Sequence, residues 1–273
     1  MFRTRALLSA LALGMATWTP LSAARLLGTT GNNTNNSTLV ELDPLTGGLI
    51  QTIGSVGFGV NGLTYDAVTG ILYGSARNNG GLIQINLTTG AGTLVGTGWN
   101  DLGDDGIVTL ASNSTGAVFG WLESTLDDLV SVNTAAGTAS IVGDAGIGTG
   151  AHGLAFNSAD VLYLMNSGGD YFTIDPVTGA STLVNSLGQT AHHGDFDPVS
   201  GLYVGIDRTA SGTKNLVRAN LLTNTFTLVG TVDDLHTLTF IPDSTTVPEP
   251  STWTLLGGGV VFAAWRRRRQ NNA

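Results

Sequence analysis

Five similar turns, spaced almost evenly along 273 residues, constrain this chain more than any other feature. They read Asp43-Pro44-Leu45-Thr46-Gly47, Asn86-Leu87-Thr88-Thr89-Gly90, Asn133-Thr134-Ala135-Ala136-Gly137, Asp175-Pro176-Val177-Thr178-Gly179 and Asn220-Leu221-Leu222-Thr223-Asn224. Successive starts lie 42 to 47 residues apart. Asp or Asn at the first position bonds its own backbone, and a closing Gly supplies positive φ. Alternating runs such as Leu82-Ile83-Gln84-Ile85 precede the turns, and runs such as Thr93-Leu94-Val95-Gly96 follow them. Each turn therefore joins the two strands of a hairpin.

A second hairpin accompanies each of these. Its fullest copy is Asn61-Gly62-Leu63-Thr64-Tyr65-Asp66 through Ile71-Leu72-Tyr73-Gly74, and it recurs at His152-Gly153-Leu154 and His192-His193-Gly194. A weaker copy starts at Asp105-Gly106-Ile107. Two hairpins give four strands, A to D, in about 44 residues, the period of a propeller blade. The expected fold is all-β: a five-bladed β-propeller over residues 25–243 with four-stranded antiparallel blades. The segment near Leu26 fits strand B, while a lone strand A stands at His236–Ile241. The two chain ends are thus expected to share one blade and close the ring, which removes the free sheet edges. With no cysteine in the chain, the core has to be apolar packing alone.

Both termini carry address signals. Arg3 and Arg5, the apolar run Ala6 to Trp18 and the small residues Ser22-Ala23-Ala24 read as a secretory signal peptide over residues 1–24. At the other end, residues 244–250 are a linker containing Pro248-Glu249-Pro250. An apolar segment follows at 251–265, then a basic tail, 266–273, headed by Arg266, Arg267, Arg268 and Arg269. This ordered triplet resembles the PEP-CTERM sorting signal of Gram-negative bacteria. The resemblance implies an exosortase partner, a transient inner-membrane helix at 251–265, and delivery to the cell surface or extracellular matrix. The same tail domain occurs in some ice-binding proteins, but the regular flat Thr array that ice binding needs is not evident. The apolar segment is short for a hydrocarbon core of about 30 Å, which needs about 20 helical residues. The arginines place its end on the cytoplasmic side. The body also resembles, loosely, secreted bacterial propellers with Asp-Pro-x-Thr-Gly turns and Leu-Tyr-Gly strands.

Without its two ends the chain keeps 5 basic and 19 acidic residues, a net charge near −14. That excludes nucleic acid as a partner. The four histidines all fall at or beside the entry to a strand A. Alignment on the strand-A aromatic puts Asn61, Asp105, His152, His192 and His236 at one repeat position, with His193 next to it. Strand-A entries converge on the propeller axis, so these six form the candidate ligand-binding set. His152, His192, His236 and Asp105 are the candidate metal ligands, since imidazole and carboxylate together suit a divalent cation. The competing interpretation is that these groups only cap loop backbone. Asp104, Asp233 and Asp234 lie close enough in sequence to support such a site. Trp99 and Trp121 are either stacking platforms for sugar or blade packing, and Asp127-Asp128 reads as a solvated strand edge.

No catalytic constellation with the required context appears. The mature body has only Glu41 and Glu123 as glutamates, both away from the strand-A entries, which weakens a glycosidase reading. The expectation is a displayed binding or structural module for exopolysaccharide or a small polar ligand. The alternative is a metal-dependent hydrolase or lactonase with a His/Asp site at the axis.

Overall fold

A computed structural model describes residues 24–31, 36–77, 80–99, 106–123, 127–147, 150–208 and 212–242. Residues 1–23 of the expected signal peptide 1–24, the Pro248-Glu249-Pro250 motif, the expected membrane helix and the basic tail lie outside the described residues. Among the described residues, twenty strands form five four-stranded antiparallel sheets. The chain opens with β1 (Arg25–Thr30), β2 (Thr38–Leu42) and β3 (Leu49–Ser55). Blade 1 is β4 (Val60–Asp66), β5 (Ile71–Ala76), β6 (Gly81–Ile85) and β7 (Gly92–Val95). Blade 2 is β8 (Ile107–Ser112), β9 (Val118–Leu122), β10 (Asp128–Asn133) and β11 (Thr138–Asp144). Blade 3 is β12 (Ala151–Phe156), β13 (Leu162–Asn166), β14 (Asp170–Ile174) and β15 (Ser181–Ser186). Blade 4 is β16 (His192–Phe196), β17 (Tyr203–Arg208), β18 (Lys214–Asn220) and β19 (Thr225–Val232). The last strand, β20 (Leu235–Ile241), joins the first three to complete blade 5 in the order β20-β1-β2-β3.

The architecture is the five-bladed propeller that the repeats predict, closed as the two chain ends predict. Leu26 pairs with Phe240 and Gly28 with Leu238. The five turns work as their residue types require. Asp43 Oδ1 accepts from Leu45 N at 2.8 Å, and Asn133 Oδ1 accepts from Ala135 N and Ala136 N. Gly47, Gly90, Gly137, Gly179 and Asn224 close the turns with φ between 52° and 77°.

The core is divided into five apolar clusters, one per blade junction. Leu26, Val40 and Phe240 of blade 5 pack on Val204, Ile206 and Leu216 of blade 4. Leu129 and Trp121 of blade 2 pack on Leu154 and Leu164 of blade 3. Each sheet thus buries both faces between its neighbours, and opening any one junction exposes apolar surface worth about 25 cal/mol per Å². Trp121 and Trp99 are fully inside these clusters, which settles them as blade packing.

At the rim, the end of a D strand touches the C–D turn of the next blade, backbone against backbone. Gly54 lies on Thr89-Gly90, Gly96 on Ala136-Gly137, Gly143 on Thr178-Gly179, and Gly230 on Thr46. A Cβ on Gly90 would stand 2.6 Å from the Gly54 carbonyl oxygen, so no side chain fits there. The junction of blades 3 and 4 is different. There Asn224 occupies the turn position, and its Nδ2 donates to Ser186 O at 3.0 Å. Tyr171 OH reaches Leu221 O at 2.9 Å in the same turn.

Candidate functional site

Each inner strand begins with a β-bulge. The register shifts around Asn61 in β4, Val108 in β8, His152 in β12, His193-Gly194 in β16 and His236 in β20. A bulge leaves one residue unpaired and re-aims its side chain. It recurs at one end of every inner strand, and that end is called the mouth below. Here the sequence alignment needs two corrections. The blade 2 equivalent of Asn61 is Val108 rather than Asp105, which is outside the described residues. The bulged residues of blade 4 are His193 and Gly194 rather than His192.

Three of the four histidines are placed with their side chains. His192, His193 and His236 are all buried. The rings of His193 and His236 lie 4.8 Å apart between centroids, and those of His192 and His193 are 6.3 Å apart. His193 holds φ of 44°, a left-handed conformation uncommon for a residue with a side chain. His152 stands in β12 at the equivalent position, but its side chain is outside the described set. Asn61 is half-buried.

Two residues that the sequence reasoning passed over join this cluster. Arg77 follows β5 in blade 1, and its backbone N–H donates to Gly59 O at 2.8 Å. Arg208 ends β17 in blade 4, and its Nη2 stands 3.0 Å from His236 Nδ1 in blade 5. Arginine has only donors, so Nδ1 accepts and the ring proton belongs on Nε2. Burial, and then the charge of Arg77, press the pKa of Arg208 down from its ordinary value. A signal for both was available. They are two of only five basic residues in the body, and both sit at the mouth end of a strand B.

The described cluster is therefore cationic. Among the described residues, no group of three His, Asp or Glu side chains is placed to hold a metal ion. Asp234 accepts from Gly31 N and pairs with Lys214, so it closes a loop. Asp104, like Asp105, is outside the described residues. Asp127 and Asp128 are buried, only 2% and 3% exposed, and do not form a solvated edge. Burial, then the nearby Asp144 charge, raise the pKa of Asp128. The half-buried Asp195 joins inner strands of neighbouring blades. It accepts from Thr239 Oγ1 at 2.8 Å and Phe240 N at 2.9 Å. Burial pushes its carboxyl up, against those hydrogen bonds.

A cavity of about 540 Å³ lies at the opposite face, where the A–B turns meet. Tyr65, Phe156, Tyr163 and Phe196 line it. Its carboxylates are already engaged, Asp160 by Ser114 and Asp197 by Ser200 and Arg218. At the mouth, by contrast, buried Arg77 Nη1 and Arg208 Nε have no protein acceptor and neither guanidinium has a carboxylate partner among the described residues, which makes the mouth the candidate site.

Comparison with known proteins supports this division into a body and an address. The PEP-CTERM protein-sorting motif matches residues 246–269. The chain thus carries this motif behind a propeller body, and the motif implies export and exosortase processing. No curated protein matches the chain. Among solved structures, a chain of the nidogen/laminin complex is similar at 12% identity and a TM-score of 0.55, over 80% of this chain and 98% of that one. A gluconolactonase from Xanthomonas campestris is similar at 11% identity and 0.51, over 78% of each chain. TolB from Acinetobacter baumannii is similar at 11% and 0.51, over 75% of this chain and 52% of its own. At such identities the likeness shows the propeller fold alone.

Proposed function

We propose that this chain is an exported β-propeller, delivered by exosortase to the cell surface or matrix, that binds a matrix polysaccharide or small polar ligand at its axial mouth. The sorting tail would hold it in the inner membrane only until processing. The observation that carries the binding reading is the contact between Arg208 and His236. A histidine that acts as a general base is normally oriented by a carboxylate that stabilises the imidazolium. Here the orienting group is a guanidinium, which favours the neutral ring and leaves Nε2–H as a donor. The mouth offers hydrogen-bond donors and positive charge, a set suited to holding a ligand rather than moving a proton.

The test uses the exported protein as the producing cells release it. Applied to their immobilised matrix polysaccharide, it should be retained, and it should release no product from the polysaccharide or from added lactones. Lactone turnover that needs a divalent cation would replace this reading with that of a metal-dependent hydrolase. Absence of both retention and turnover would remove the mouth as a site.

A further inference from the structure

The body has five basic residues and they divide sharply. Arg25 pairs with Glu41 at 2.8 Å, Lys214 with Asp234 at 3.3 Å, and Arg218 with Asp197 at 3.5 Å. Arg77 and Arg208 take part in none of the ion pairs among the described residues. They end or follow a strand B at the mouth in blades 1 and 4, on either side of blade 5; Arg208 reaches His236, and the charge of Arg77 bears on Arg208. Nη1 of Arg77 and Nε of Arg208 are buried, and neither meets a protein acceptor. Arg218 Nε is also without an acceptor, but that guanidinium already has a carboxylate partner.

Holding two half-buried cations together costs free energy. Carboxylates are plentiful in this chain, yet none among the described residues is paired with either one. The arrangement becomes favourable once an anion lies between the two guanidinium forks, because charge-assisted, bidentate hydrogen bonds are the strongest class available. The net charge near −14 restricts the anion further. Beyond about 8–10 Å the acidic surface is screened by salt, but a multiply charged group brought to the mouth meets it at close range. A single planar carboxylate matches the fork geometry with the least repulsion. His236, whose Nδ1 accepts from Arg208, and His193, whose ring lies 4.8 Å from that of His236, stand beside Arg208 and can meet the ring and hydroxyls of a sugar.

We infer that the axial mouth is a carboxylate-binding subsite, in which Arg77 and Arg208 grip the acid group of a uronic-acid sugar beside His236. This rests on the mouth being the binding site, and it names the chemical class that the site selects.

Titration calorimetry with sodium glucuronate, its neutral methyl ester and inorganic phosphate tests it on the exported protein. The acid should bind, and the ester should bind at least tenfold more weakly. Arg77→Gln should abolish the preference for the acid while leaving the thermal transition in place. Arg77→Lys, which keeps the charge without the fork, should recover part of it. Equal binding of acid and ester, or indifference to Arg77→Gln in a folded protein, overturns the inference. Phosphate competing as well as glucuronate overturns the carboxylate assignment. Retention on neutral matrix polysaccharide without glucuronate binding overturns this inference alone, and loss of both overturns the binding reading too.

Discussion

The rim and the mouth of this ring are built by opposite rules. At the rim, four of the five blade junctions repeat one arrangement, a glycine of one blade against the C–D turn of the next. At the mouth, the bulge position carries Asn61, Val108 or a histidine. A rim position is restricted by distance, since two backbones touch there and only hydrogen fits. A mouth position is restricted only in direction, since the bulge aims whatever side chain is present. Repetition therefore marks where the chain is held together. Variation, together with charge that stability alone would not select, marks where it meets something else.

The sharpest way to break this comparison is Gly137→Ala. Gly137 combines a φ of 69° with the Val95 carbonyl against it. A side chain in left-handed backbone costs about 1–2 kcal/mol. Forcing apart a close contact costs about 1–3 kcal/mol more. Urea denaturation should therefore show a loss of about 2–5 kcal/mol, with glucuronate affinity unchanged in the folded fraction. A loss near zero would remove the rim's special status.

The exceptional junction offers a finer test. Asn224→Ala removes the bond to Ser186 O, worth about 0.5–1.5 kcal/mol, and keeps the left-handed backbone without the residue suited to it. The expected loss is about 1–3 kcal/mol. Asn224→Gly trades the bond for the residue used at the other four junctions, so it should stay within about 1 kcal/mol of the parent. If glycine proves as harmful as alanine, Asn224 is doing something other than substituting for the glycine contact.

The smallest effect belongs to the closing blade. Arg25 Nη2 meets Glu41 Oε2 at 2.8 Å beside the point where the ring is joined, and that hydrogen bond is the main reason the Glu41 pKa is lowered. A depressed carboxyl contributes stability above its unfolded value of about 4.3 and loses it as pH falls through the lower folded value. Arg25 is about a third exposed, so solvent screens the pair and Glu41→Gln should cost less than about 1 kcal/mol at pH 7. Thermal melts should show parent and variant converging below about pH 4. A gap that persists in acid would assign the loss to packing instead of charge.

The fold was legible because a blade cannot be closed without its turn chemistry. Asp43, Asn86, Asn133, Asp175 and Asn220 announce the hairpins at a fixed period. The permuted ends were legible for the same reason, as a strand B without its strand A. The mouth was legible only in part. Counting back from the strand-A aromatic located its histidines, but a bulge adds a residue without leaving a fixed sequence mark, so Asp105 was matched where Val108 stands. Arg77 and Arg208 do not stand out in the sequence because a pattern of imidazole and carboxylate at the strand-A entries does not include the ends of the B strands, where both sit. Asp127 and Asp128 misled because charge in a strand start usually means solvent, and here it is enclosed.

The pairing of β1 with β20 also has a mechanical consequence. The strands are antiparallel with Arg25 opposite Ile241, so the chain enters and leaves the ring at the same end of one ladder. Tension between the two termini would peel that ladder open pair by pair and would never load its six paired positions together. Forced opening is governed by the barrier along the pulled direction, and peeling offers a low one. Tension between one terminus and a ligand in the mouth runs instead through β20, which Asp195 ties to the neighbouring blade at Thr239 and Phe240. Such a ring can hang by one end and hold a weight at its opposite face, but it is ill suited to serving as a link in a stretched chain.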